Sequence, residues 1–264
     1  AEGSRTGSRV ACLPRADRRR LHAFRIRRPL QGCQNDQQTP REILQETSEK
    51  VDATCEWAAD GPMTGSSSET PPRVFLLNGA SLLAARRRVY DGDLDLAAAD
   101  QRLLLDAQEA ATVGPFSVVD KTTLPPSSDL HDYLSQGPYW WPDPDTEDGL
   151  PWVRRDGESN PDREQHDRHA LAAMMSAVNT LSAAFFFSDL ESFAERAGLL
   201  LRAWFIDPAT CMNPHLQFAQ GIPGRCDGRG IGIIDTAQIG FLIDSVGLLG
   251  ASAAWTVEDQ KSLT

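Results

Sequence analysis

The sequence predicts an all-α fold. From residue 73 to residue 264, one segment after another carries apolar residues at spacings of three and four, the period of an amphipathic helix. No segment of any length alternates apolar and polar residues as a half-buried strand does. Helices with a single apolar stripe bury that stripe against one another, so we expect helical hairpins stacked together.

Residues 1–72 differ in composition from the rest of the chain. They lack sustained periodicity, and residues 1–30 hold nine arginines against two acidic residues. An arginine-rich, acid-poor head is typical of a transit peptide or a nucleic-acid-binding arm, whereas we favour a disordered extension. One polar helix is predicted over residues 39–55, and residues 61–72 have the composition of a linker. We therefore place a domain boundary near Arg73.

The first two helices of the second domain are short. Asn78 caps a helix that ends at Gly92, and a second helix occupies residues 93–112 until a glycine-proline pair ends it. Residues 116–161 are rich in proline and aspartate, which predicts loops or extended segments.

Four later helices are predicted from their start signals. In each, a residue that can cap backbone amides precedes an apolar stripe. The last stripe stops soon after it begins, so we expect the helical domain to be incomplete. The start signals are Asn160 before Pro161, Ser188 with Glu191, Asp235 with Gln238, and Thr256 with Asp259.

Residues 211–235 connect two of these helices. A connection this long without regular structure is usually functional or disordered, and its many apolar residues argue against disorder. Binding groups concentrate on loops that a rigid scaffold holds, so we predict an ordered loop that lines a cleft. Its polar side chains are those of Asn213, His215, Gln217, Gln220, Arg225 and Arg229.

A second candidate segment holds Tyr139, Trp140 and Trp141 between two prolines. Flat rings with a polar edge suit the faces of sugar rings, although large aromatic residues also fill the ends of helical cores. Arginine forks bind carboxylates through two hydrogen bonds. Arg155 and Arg229 are therefore candidates to hold an anion, although single arginines are also common on protein surfaces. Glycines on both sides of Arg229 let its backbone approach other atoms closely.

Several classes of function are excluded. His166 and His169 lie three residues apart, but no third ligand follows at a recognisable spacing, so we expect no metal. The five cysteines form no paired motif, and the glycines of residues 228–232 follow no strand, so no nucleotide cofactor is expected. The net charge is −11, of which residues 1–30 contribute +7, so the body is acidic and ill suited to nucleic acid. No apolar run reaches the ~18 residues of a membrane span, and no signal peptide is visible.

Short motifs follow one another through residues 73–264. They are HDY (131–133), GPYWWPD (137–143), RDG (155–157), NP (160–161), DRH (167–169), WFIDP (204–208), MNPH (212–215), AQGIPG (219–224) and GRGIGIIDT (228–236). In this order they resemble the alginate lyase family of polysaccharide lyases, whose fold is an α/α toroid. Residues 1–72 resemble no family.

The resemblance implies an incomplete α/α toroid that cleaves a uronic-acid polymer, alginate or a related polyuronate, by β-elimination. The enzyme neutralises the uronate carboxylate, a base removes the C5 proton, and an acid protonates the departing 4-oxygen. No metal or cofactor is implied, and the expected location is periplasmic or secreted. The expected substrate-binding residues are Tyr139, Trp140, Trp141, Arg155, Asn213, His215, Gln217, Gln220 and Arg229.

The family's catalytic Asn-Asn-His segment and tyrosine have no equivalent up to Thr264, and we expect them beyond it. The segment from Asn213 to His215 is a different motif, and His215 could equally be a structural residue of the loop. Two alternatives to the lyase stay open. One is a catalytically inactive carbohydrate-binding fragment, and the other is an α/α-toroid glycoside hydrolase that uses acidic residues between Asp143 and Asp148.

Overall fold

The computed structural model of the protein describes residues 70–264. Within this part of the chain six α-helices form the fold, which confirms the all-α prediction. The predicted helix over residues 39–55 lies outside the described residues, and the domain boundary near Arg73 stays a prediction. The helices are α1 (Gly79–Tyr90), α2 (Leu94–Ala110), α3 (Asp167–Ser188), α4 (Glu191–Phe205), α5 (Ile239–Leu248) and α6 (Val257–Leu263). The strands are β1 (Leu134–Gln136), β2 (Trp140–Trp141), β3 (Val153–Arg154) and β4 (Phe218–Gly221).

Helix α3 is the centre of the hydrophobic core. Its apolar stripe is buried as the sequence predicts, and Leu171, Met174, Leu181 and Phe185 each expose no more than 4% of their surface. Helices α2, α4 and α5 all pack against α3, and Trp204 on α4 is fully buried. Removing this apolar surface from water is the main favourable contribution to folding.

The junction between α3 and α4 differs from the predicted capping box. Ser188 is the last residue of α3, and its hydroxyl donates to the carbonyl of Ala184 (2.6 Å) and accepts from the amide of Leu190 (3.2 Å). Asp189 then adopts a left-handed conformation with φ of 58°. Because the serine hydroxyl bonds back into its own helix, α4 begins only at Glu191 and has no side-chain cap.

Two of the other predicted helix starts are confirmed. The Asn78 side chain accepts a hydrogen bond from the amide of Ser81 (2.9 Å), and Thr256 and Asp259 form the predicted capping box of α6. Asn160 also acts as a cap, but it caps a separate 3₁₀ helix of five residues that ends before α3 begins. The helix predicted from Asn160 is therefore divided in two.

The predicted cap at Asp235 is wrong. Asp235 is buried within a 3₁₀ helix, Gly230–Thr236, and α5 begins after Gln238 without a side-chain cap. The carboxylate of Asp235 bonds to side chains of other elements, so it is not available to the amides of α5.

Two pairs of short strands join the loops. Strands β1 and β4 pair in parallel, with Leu134 opposite Phe218, and β2 and β3 pair antiparallel. Strands of two to four residues leave no periodic pattern in a sequence, so they were not predicted. The β1–β4 pair brings the loop of residues 211–235, which is ordered as predicted, against the segment that begins at His131.

Two helical stretches of residues 70–264 are long and apolar enough to cross a membrane, by length and composition alone. They are Asp167–Ser188 and Gly230–Ala251. The most apolar window of the first is 56% buried inside the protein, where it forms the core helix α3. Both are weak indications of a membrane span, because core helices of soluble proteins have the same composition.

A buried aspartate fixes the first residues of the described chain. Asp244 on α5 has no exposed surface. Its carboxylate accepts hydrogen bonds from the backbone amides of Phe75 (2.6 Å), Leu76 (3.0 Å) and Leu77 (2.7 Å). These three donors compensate for removing the carboxylate from water.

We expect Asp244→Ala to lower the free energy of unfolding by about 2–3 kcal/mol, because three partly buried amides lose their acceptor. Urea denaturation followed by circular dichroism measures the change. Asp145→Ala, which alters an exposed loop carboxylate, is the matched control and should change stability by less than ~0.5 kcal/mol. Equal stability of the two variants would contradict the anchoring role of Asp244.

Candidate functional site

A cleft of about 470 Å³ lies beside the C-terminal ends of β1 and β4. Aromatic residues, exposed isoleucines and four arginines line it. A second cavity of about 240 Å³ shares Arg163, Arg168 and Ile234 with the first, so the two cavities adjoin, and together we call them the groove. The residues that line the larger cleft are Pro138, Tyr139, Trp140, Arg154, Arg163, Arg168, Gln220, Arg229, Ile231 and Ile234.

Arg229 is held at the wall of this cleft. Its Nε donates to the backbone carbonyl of Gln220 (2.9 Å), and its Nη2 donates to Oε1 of the same residue (2.9 Å). Its backbone amide donates to the carbonyl of Ala219 (2.9 Å). Close approach requires glycine at Gly228, because a Cβ there would lie 1.9 Å from the carbonyl oxygen of Gln217. Arg229 thus has a fixed orientation, and its Nη1 has no partner among the described residues.

Gln220 connects Arg229 to the interior. Its side chain is buried, and its Nε2 donates to Oδ1 of Asp235 (3.2 Å). Its backbone amide donates to the hydroxyl of Ser135 (2.8 Å). Its φ of 51° lies in the left-handed region, which residues other than glycine rarely adopt. A conformation that costs about 1–2 kcal/mol persists here because bonds at both ends of the residue hold it.

Asp235 is the buried charge beneath the cleft. Its side chain has no exposed surface and accepts hydrogen bonds from the hydroxyls of Ser135 (2.6 Å) and Tyr133 (3.1 Å). Its Oδ1 also lies 3.0 Å from Nε of Arg168, whose side chain is 42% exposed and reaches into the cleft. Burial and then the charge of Asp235 raise the pKa of Tyr133, so the phenol stays protonated and donates.

The aromatic segment is divided between the two faces of β2. Tyr139 and Trp140 line the cleft, and the guanidinium of Arg225 lies 5.2 Å from the Trp140 ring centre. Trp141 points the other way, because successive side chains of a strand alternate. Its ring lies 5.2 Å from the guanidinium of Arg155, and its Nε1 donates to a backbone carbonyl. Of the residues predicted to bind substrate, Trp141 and Arg155 therefore do not line this cleft.

Asn213 and His215 form a second cluster, with Asp132. Asn213 Nδ2 donates to Oδ1 of Asp132 (2.6 Å), and His215 Nε2 lies 3.0 Å from the same oxygen. The amide of Gln217 donates to Nδ1 of His215 (3.4 Å), so both ring nitrogens have partners. These residues precede β1 and β4, whereas Pro138, Tyr139 and Gln220 of the cleft lie at or just after the ends of the two strands. In a parallel pair the starts lie together, so the second cluster occupies the opposite end.

The structure thus brings together Tyr139, Trp140, Gln220 and Arg229 of the predicted set. It also adds Arg163, Arg168 and Asp235, which the sequence analysis did not select. In the sequence, Asp235 directly follows an apolar run. An acidic residue in that place is unusual, and this was the signal that could have marked Asp235 as a candidate.

The described residues contain no group of three or more His, Cys, Asp and Glu side chains placed to hold a metal ion. His166 Nε2 lies 3.3 Å from Oε1 of Gln136, and burial lowers the pKa of this histidine. His169 lies along the smaller cavity.

The second cluster controls the charge state of Asp132. Burial alone would raise the pKa of this carboxyl, but hydrogen bonds from Ser127 and Asn213, and the charge of His215, outweigh it and lower the pKa. The stabilisation from Asp132 is therefore present above its unfolded-state pKa, near 3.8, and is lost as the pH falls through the lower folded-state value.

We expect Asn213→Ala to lower the free energy of unfolding by about 1–2 kcal/mol at neutral pH, because charged Asp132 loses a donor. The deficit should shrink as the pH falls from the unfolded-state pKa of Asp132 through its lower folded-state pKa, because a protonated carboxyl gains less from the donor that the variant lacks. Urea denaturation at neutral and acid pH measures both values. Asn78→Ala removes a helix cap and should cost ~1 kcal/mol at either pH. A deficit for Asn213→Ala that persists unchanged in acid would contradict this role.

Comparison with known proteins agrees with the motifs and the fold. The family model described as alginate lyase matches residues 117–264. A crystal structure of an alginate lyase from Bacteroides ovatus matches with a TM-score of 0.68 and 41% sequence identity, over 72% of this chain and 50% of that chain. The chain therefore spans half the length of that protein, and no curated protein matches it. The protein belongs to the alginate lyase family.

Proposed function

We propose that the chain is part of a polysaccharide lyase that cleaves a uronic-acid polymer, alginate or a related polyuronate, by β-elimination. The observation that carries the proposal is the cleft, in which the fixed guanidinium of Arg229 and three other arginines lie beside the exposed ring of Tyr139 and the partly buried ring of Trp140. Residues 73–264 would form the substrate-binding part of the toroid domain. The proposed location is periplasmic or secreted, where such polymers occur.

Charge in the cleft favours an anionic ligand. Arg154 and Arg168 each pair with a carboxylate (2.7 and 3.0 Å), whereas Arg163 and Arg229 have no carboxylate partner among residues 70–264. The groove is therefore locally positive on a chain whose net charge is −11. A guanidinium that is already oriented binds a carboxylate without further loss of side-chain entropy.

The apolar part of the cleft favours a sugar ring. Tyr139 is 43% exposed, Ile231 is 59% exposed and Ile234 is 55% exposed, and Trp140 lies with them along the cleft. Aromatic and aliphatic surfaces pack on the C–H faces of a pyranose while its hydroxyls stay in contact with water or polar groups. A polymer of charged sugars presents both features in every residue.

For catalysis, Arg229 and Arg168 would neutralise the uronate carboxylate and so acidify the proton on C5. Loss of that proton and of the C4–O4 bond creates the C4–C5 double bond, and a proton is delivered to the departing oxygen. We propose that the base and the acid belong to the family's Asn-Asn-His segment and catalytic tyrosine. The sequence up to Thr264 contains no equivalent segment.

A carbohydrate-binding chain without turnover is the second candidate. Apart from the arginines, Tyr139 is the only titratable side chain that lines the larger cleft in the described part of the protein. A glycoside hydrolase has less support, because Asp143 and Asp148 each accept a hydrogen bond from a nearby backbone amide (both 3.0 Å) and so serve their own loop.

Incubation with alginate and with glucuronan tests the proposal. Elimination produces an unsaturated uronate, which absorbs ultraviolet light and is measured continuously. Unsaturated product would establish the lyase, whereas binding without product would fit both the second candidate and a lyase chain that lacks its base and acid. Saturated fragments would identify a hydrolase, and absence of both product and binding would refute all three.

We expect Arg229→Ala to weaken binding of an oligouronate about 10–100-fold, because a charged hydrogen bond contributes roughly 1.5–3 kcal/mol. Arg229→Lys keeps the charge but not the fork, so its affinity should be intermediate. Isothermal titration calorimetry measures all three proteins. Arg87→Ala, which removes an exposed arginine of α1, is the control of equal charge and should bind like the wild type. Equal losses in the Arg87 and Arg229 variants would show a non-specific charge effect.

A further inference from the structure

We infer that Asp235 is a positioning residue that fixes the orientation of Arg229 through the side-chain amide of Gln220. The inference rests on the proposed function for the identity of the ligand, an oligouronate. It does not depend on that function for the geometry of the relay, which the hydrogen bonds define.

The relay has two steps. Gln220 Nε2 donates to Oδ1 of Asp235 (3.2 Å), and Gln220 Oε1 accepts from Nη2 of Arg229 (2.9 Å). A carboxylate accepts hydrogen bonds and cannot donate them, so Asp235 determines which end of the amide faces it. The oxygen of the Gln220 amide must then face Arg229. A guanidinium only donates hydrogen bonds, so an acceptor in this place is what it requires.

Other partners of Asp235 keep its carboxylate from rotating. One oxygen accepts from the hydroxyls of Ser135 (2.6 Å) and Tyr133 (3.1 Å), and the other lies 3.0 Å from Nε of Arg168. The side chain is fully buried, and donors surround it on both oxygens. The acceptor that Gln220 meets is therefore fixed in place.

The backbone of Gln220 is held just as firmly. Its amide donates to Ser135 (2.8 Å), its carbonyl accepts from Nε of Arg229 (2.9 Å), and its φ of 51° is a left-handed conformation. A buried glutamine in a costly conformation persists when the surrounding contacts determine it. One of these contacts is made by Arg229 itself, and the other by Ser135, whose hydroxyl donates to Asp235 (2.6 Å).

Asp235 also makes two arginines of the cleft differ in charge balance. It pairs with Arg168, whereas among residues 70–264 Arg229 contacts only the neutral groups of Gln220 and the backbone. Arg229 therefore keeps its full positive charge for a ligand, in a direction that Asp235 sets.

Asp235→Asn tests the relay. The asparagine can present its amide group to Gln220, which places donor against donor and favours rotation of the glutamine amide. After this rotation the Nε2 group of Gln220, in place of its Oε1, faces the guanidinium of Arg229, so that one donor meets another. We expect the affinity for an oligouronate to fall about tenfold, which corresponds to one lost charge-assisted hydrogen bond.

The double variant Gln220→Glu with Asp235→Asn separates positioning from a general structural role. It reverses the polarity of the relay and restores an acceptor for Arg229, with the same total charge as the wild type. Because the new carboxylate also offsets the charge of Arg229, we expect the orientation of Arg229 to be restored but the affinity for an oligouronate to stay below that of the wild type. Asp244→Asn, a change at another buried aspartate, controls for lost stability and should not alter affinity.

Labelling of arginines with phenylglyoxal, followed by peptide mass spectrometry, gives a readout that needs no ligand. Arg229 should react faster in Asp235→Asn than in the wild type and slowly again in the double variant. If neither the affinity nor the labelling of Arg229 changes in Asp235→Asn, the inference is overturned. A wild type that binds no oligouronate would refute the proposed function alone, because the labelling rates still decide the relay.

Discussion

The parallel pairing of β1 with β4 is the constraint on which the groove depends. These strands have three and four residues and lie more than 80 positions apart in sequence. Strand β1 packs on α3, and β4 packs on β1 and on the 3₁₀ helix Gly230–Thr236. Pairing sets the loop of residues 211–235 against the segment from His131 to Trp140. Arginines from one side and aromatic rings from the other can then meet in a single cleft.

The same pairing explains why the candidate residues separate into two groups. The cluster of Asn213, His215 and Asp132 lies where both strands begin, and the arginine cleft lies where both strands end. The first group consists of side chains that satisfy one another. The second contains guanidinium groups whose donors are only partly used, and unused donors are what an anionic ligand needs.

Local sequence signals predicted most of the helices but not the cleft. The stripe of α3 and the caps at Asn78 and Thr256 depend on residues within one turn of each other, and they formed as expected. Ser188 and Asp235 also matched a capping pattern. Each instead bonds to groups that the pattern does not consider, a preceding turn for Ser188 and a distant strand for Asp235.

The residues that line the cleft could be identified only once the direction of the strands was known. Trp140 and Trp141 are neighbours of one chemical type, and only the alternation along β2 separates them. Arg168 lies within the DRH motif, but a single arginine near the start of a helix does not reveal where its side chain points. The structure shows that the Nε of Arg168 pairs with Asp235 (3.0 Å), beneath the cleft.

The stacking of Arg225 on Trp140 has a consequence for how the proposed uronic-acid polymer would lie in the cleft. With one side of the indole occupied at 5.2 Å, only the opposite side remains for a pyranose. A sugar chain is polar along its length, and its two ring faces are not equivalent. For the proposed polyuronate, a one-sided platform next to a fixed cation would therefore favour one direction of threading over the reverse.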